Sequence, residues 1–153
     1  LLLASIVIFF RAAIIDQPKR TLYILIIGFF GCMLLRELDY YFDSIVHGFW
    51  LYPTLTLATL VIVYSFQHNN NLANNLRTFS QTKSYLYILI GLVIIMSFSR
   101  LLGSGSLWRE VMSDDYRHVY KTIIQEGLEL FGYMFIFIGA LAQRKYHQSQ
   151  PRL

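Results

Sequence analysis

Apolar residues come in blocks along this chain. Runs at Leu1 to Ile15, Leu22 to Leu35, Phe49 to Phe66, Tyr85 to Leu102 and Ile123 to Ala142 are each bounded by charged or strongly polar residues. A helix needs about 20 residues to cross a bilayer, so five such helices with short loops nearly exhaust the 153 residues and leave no room for a soluble domain. The pattern predicts an all-α, polytopic integral membrane bundle forming a single transmembrane domain over 1–153, with spans over about 1–15, 21–38, 49–66, 85–102 and 120–142. The second helix is expected to continue to about 47, because RELDYYFDSIVH holds no Gly or Pro before Gly48. Leu1 lies inside an apolar run with no methionine before it. We read this as a span whose beginning is missing, not as a signal peptide, since a basic start and a small-residue cleavage site are both absent.

Composition sharpens the picture. Hydrophobic residues make up 56% and charged residues 14% of the chain, against about 25% charged in an ordinary soluble domain; the mean hydropathy is +0.48. The surplus apolar surface is expected to face lipid. The net charge of +4 sits at the ends of the apolar runs, where membrane proteins keep it, so nucleic acid is not an expected partner. Cys32 is the sole cysteine, which excludes an intramolecular disulfide and a thiolate metal cluster. Aromatic residues such as Tyr40, Trp50, Tyr85 and Trp108 cluster at span ends and read as an aromatic belt.

Lys and Arg in short loops hold those loops in the cytoplasm. Arg11, Lys19, Arg20, Arg77, Lys83, Arg144, Lys145 and Arg152 fall on one side of the expected bundle, against Arg36, Arg100, Arg109, Arg117 and Lys121 on the other, a bias of eight to five. The first side, with the C-terminus, is therefore assigned to the cytoplasm, in a membrane such as the bacterial inner membrane. Acids are more lopsided: Glu37, Asp39, Asp43, Glu110, Asp114, Asp115, Glu126 and Glu129 lie at the outer side or outer half, and Asp16 alone lies inside. Among the loops, the Asn-rich stretch from Gln67 to Ser84 reads as a solvated connector. The outer connection places Leu107, Trp108, Val111 and Met112 at helical spacing, as a short helix at the interface would.

The strongest chemical signal is EGLELFGYMF in the last span, where Glu126 and Glu129 stand one turn apart inside an apolar run. Their face also collects Thr122, Gln125, Gly132, Tyr133 and Ala140, and is expected to meet protein. A carboxylate at the bilayer centre costs about 2.5 to 3.5 kcal/mol, which makes an intramembrane pair a candidate site; the bland alternative is a buried ion pair. A second polar stripe joins Gly28, Cys32, Arg36, Asp39, Asp43 and His47. Glu37 falls about 100 degrees from Arg36 and need not share its cavity. Arg36 and Arg100 are the expected counter-ions, Arg100 with Ser97 and Ser99 beside it. Glu126, Glu129, Asp43 and His47 are candidate metal ligands, although no HExxH, HxxxH or ExxH motif is present.

The expected function is binding of a cation, a proton or a small polar ligand in an outward-facing acidic cavity containing His47, with Glu126, Glu129, Asp39, Asp43 and Glu37 around it. Two other readings stand beside it. One is an accessory subunit whose charges pair inside the bundle or with partner helices of a larger membrane assembly, with partner membrane subunits or a homo-oligomer as the company it would keep. The other is a membrane-embedded hydrolase using a metal-activated water.

Overall fold

The structure, a computed structural model, describes residues 1–43, 48–68, 71–112 and 118–149, with backbone alone at 40, 43, 111, 118 and 146–149. Every described element is helical: α1 (Leu2–Ile15), α2 (Arg20–Glu37), α3 (Asp39–Asp43), α4 (Leu51–Gln67), α5 (Leu72–Ser80), α6 (Lys83–Leu102), α7 (Gly105–Met112) and α8 (His118–Ser149). Three helical segments are long and apolar enough to cross a membrane, over Gln17–Glu37, Lys83–Leu102 and Val119–Lys145. The helices at Leu2–Ile15 and Leu51–Gln67 are apolar but shorter. This is an α-helical protein with the makings of a membrane bundle.

The helices pack side by side. α1 lies against α2 and α8, α2 carries α4, and α6 runs along α8 over most of its length. At the centre of the first group Phe9 is fully buried, with ring centroids 6.0 Å from Tyr23, 5.9 Å from Phe30 and 6.5 Å from Phe79. Such tilted and edge-on contacts add to area burial. In lipid, where tails are as apolar as Leu, close packing is what holds helices together.

Local chemistry sets the helix ends. Asp16 closes α1 by accepting the Lys19 N–H at 3.3 Å, Pro18 opens the next turn, and Lys19 Nζ pairs with Asp16 at 3.6 Å. Thr82 stands extended before α6 and its hydroxyl accepts the Tyr85 N–H at 3.2 Å, an N-cap.

Two expectations about the elements change. α2 ends at Glu37, and the chain turns at Leu38 before resuming as α3, so the extension of the second helix is interrupted; residues 44–47 lie outside those described. The Asn-rich connector contains α5. Its Phe79 is buried against Phe9 and Tyr85, and Asn75 donates to the Pro18 carbonyl at 2.8 Å. One apolar face and one tertiary hydrogen bond fix a helix that amide-rich composition alone does not announce. The short helix expected in the outer connection is α7, whose Trp108 donates its indole N–H to the Leu102 carbonyl at 2.5 Å.

Candidate functional site

The seam between α6 and α8 builds the site. On α8, Gln125, Glu129, Gly132, Ile136, Gly139 and Gln143 recur at steps of four, three, four, three and four, one line along the helix. On α6 the facing line is Ser84, Ile88, Gly91 and Ile95, and the same stepping would next select Phe98. Instead Phe98 is 50% exposed and Ser99 is fully buried. The reason is a turn of π-helix over Ile94–Phe98, closed by the Ser99 N–H on the Ile94 carbonyl. A π-turn holds one extra residue, and such bulges recur at functional sites. Here the extra residue carries Ser99 into the seam.

Ser99 donates its hydroxyl to Glu129 Oε1 at 2.8 Å, and Gln125 donates its amide to the same oxygen at 3.2 Å. One turn further along α8, Tyr133 donates to Glu37 Oε1 at 2.6 Å, and its hydroxyl also lies within electrostatic range of Glu129 and Arg36. Glu129 is half-buried, while Glu37 is exposed. The structure thus gathers Glu129, Ser99, Gln125, Tyr133, Glu37 and Arg36 at one end of the bundle.

The other expected site residues fall differently. Glu126 is exposed, since a step of three residues turns it away from the narrow seam. Arg100 is exposed, and among the described residues neither it nor Arg36 makes an ion pair with Glu126 or Glu129. Asp39 is exposed beyond the turn at Leu38. The side chain of Asp43 and the whole of His47 lie outside the described residues. Among the described residues no three His, Cys, Asp or Glu side chains assemble as a metal-binding group.

The opposite end of the seam holds a second polar cluster that the sequence reading passed over. Gln143, 2% exposed, donates to the Tyr23 hydroxyl at 3.0 Å, and Tyr23 donates to Asp16 Oδ2 at 3.5 Å. A glutamine two heptads after Glu129 on the same stripe was the available signal. Between the clusters Ile95, Ile136 and Ala140 are fully buried, so an apolar layer separates the two polar ends.

Comparison with known protein families, curated sequences and solved structures returns no match. The chemistry of the site therefore rests on its own residues.

The extra residue of the π-turn makes a sharp prediction. Deleting Met96, exposed within that turn, should restore regular helix and leave Ser99 opposite Glu129. Deleting Leu89, also exposed but within regular helix, should rotate one half of the seam by about 100 degrees and prevent folding. Yield and thermal midpoint in detergent compare the two; equal damage would show that no single residue is spare in α6.

Proposed function

We propose that this chain is a small polytopic membrane protein that binds a proton or a small cation at Glu129, reached from the outer side. What supports the reading most is the company Glu129 keeps. Its Oε1 accepts two hydrogen bonds, both from neutral side chains, and no ion pair to Glu129 forms among the described residues. A bound proton or cation would supply the positive charge that these neutral donors do not. Glu37, joined through Tyr133, supplies a second carboxylate toward solvent, where an incoming cation would first meet negative charge.

The fully buried layer of Ile95, Ile136 and Ala140 favours a binding site closed on one side over an open pore. The metal-hydrolase reading gains no support from the described residues. The test of the binding reading is the infrared band of a protonated carboxylic acid and the thermal midpoint of purified protein, each followed against pH and against monovalent cations. A protein with no titrating carboxyl band and no cation response would overturn it.

The bundle we propose has five spans. α1 and α4, with 14 and 17 residues, are short beside a core of about 30 Å, a mismatch that local thinning of the bilayer accommodates. In this arrangement α5 and the C-terminus face the cytoplasm and α7 faces outward, in a membrane such as the bacterial inner membrane. Impermeant labelling of single cysteines at Ser80 and Ser106, in a Cys32→Ser background, should modify position 106 alone from outside. Labelling of position 80 alone would invert the orientation.

A further inference from the structure

We propose that the end of the bundle carrying Asp16 seats the headgroup of an anionic phospholipid. A small notch, open to solvent, lies there between four elements and is lined by Lys19, Tyr23, Thr78, Phe79, Thr82 and Gln143. The notch has room for about one water, so a headgroup would lie across its mouth and not inside it.

The charge around that mouth is mostly positive. Four lining residues each have a basic chain neighbour: Arg20 beside Lys19, Arg77 beside Thr78, Lys83 beside Thr82 and Arg144 beside Gln143. All four neighbours are exposed, and among the described residues none of them makes an ion pair. Asp16 is the only acid assigned to this end, and it is held by Lys19 at 3.6 Å.

The hydroxyl protons of Thr78 and Thr82 are already given to the Asn74 and Phe79 carbonyls, so recognition falls to the cations. The N-terminus of α6, an eleven-residue stretch of α-helix before its π-turn, opens beside them and adds partial positive charge. Basic notches between transmembrane helices at headgroup depth are where anionic lipids bind. A phosphodiester with an apolar tail satisfies both the charges and the lipid-facing flanks of α5 and α6, where Leu76 and Leu86 are exposed.

The test uses the full chain in neutral detergent. Phosphatidylglycerol should raise the thermal midpoint, with the effect weakening as salt is added, while phosphatidylcholine and inorganic phosphate at the same concentration should not. An Arg77→Gln/Lys83→Gln variant should need at least tenfold more phosphatidylglycerol for the same shift, whereas Lys121→Gln, on α8 toward the other end, should behave as wild type. If the double variant does not fold, Arg144→Gln/Lys145→Gln takes its place. An equal response to phosphatidylcholine, an equal response to inorganic phosphate, or full phosphatidylglycerol response in the basic-residue variants would each overturn the assignment.

Discussion

Glu129→Gln should leave the protein folded within about 2 kcal/mol of the original while lowering its affinity for a cation at least about tenfold. The amide keeps a carbonyl oxygen where Oε1 stands, so Ser99 and Gln125 retain their acceptor. A hydrogen bond to a charged group contributes about 1.5 to 3 kcal/mol and one to a neutral group about 0.5 to 1.5, so the two bonds together lose about 2 to 3 kcal/mol, which removal of a half-buried charge offsets in part. Glu129→Leu should cost more, about 1 to 3 kcal/mol for each donor left unsatisfied. Ser99 falls at the lower end if its hydroxyl turns back to the Ile95 carbonyl. Had Glu129 been half of a buried ion pair, the glutamine variant would lose about 3 to 5 kcal/mol. The measurements are thermal midpoints in detergent and a cation binding isotherm. Glu126→Gln, at an exposed position, should change neither of them. A Glu129→Gln protein that unfolds readily, or one that keeps its cation affinity, would remove Glu129 from the centre of the site.

The all-helical class was legible from the block pattern, and block hydropathy alone marks the three helices long and apolar enough to cross a membrane. The acidic residues could be named as candidates from the sequence, but which of them meets a partner helix could not. Glu126 and Glu129 share a broad face at 100 degrees per residue. The real contact with α6 is a narrow line through Gly132 and Ile136, and only Glu129 lies on it. Ser99 was hidden for a different reason: the regular stepping of α6 points to Phe98, and a π-turn depends on the packing of the partner helix as well as on local sequence. Arg100 drew attention through its charge, yet a residue at a helix end can turn to the surface, and the neutral serine before it meets the carboxylate. α5 escaped because its Asn residues resemble a solvated loop until Phe79 is seen against Phe9 and Tyr85.

The packing that creates this line predicts the second large effect, a contrast between two glycine-to-alanine changes. A Cβ at Gly91 would stand 2.5 Å from the Gly132 carbonyl oxygen and 3.1 Å from the Ile136 backbone nitrogen. Neither atom can rotate away, because both are backbone of α8. Relief requires α6 and α8 to separate, which loosens Ile95 against Gly132 and draws apart the Ser84 hydroxyl and the Gly139 carbonyl, now 2.8 Å from each other. Overpacking typically costs about 1 to 3 kcal/mol, and with backbone on the receiving side Gly91→Ala should fall at the top of that range. Gly127 sits on α8 with nothing within 4 Å of its would-be Cβ. Gly127→Ala should therefore stabilise by about 0.5 to 1 kcal/mol, the conformational penalty of glycine within a helix. Separation of the seam should also pull Ser99 from Glu129, so Gly91→Ala should lose cation response along with stability. Unfolding titrations in mixed micelles, with the cation isotherm measured on the same samples, read both effects. If Gly91→Ala were as stable as the original chain, the close approach of α6 to α8 would be wrong, and with it the geometry that brings Ser99 to Glu129.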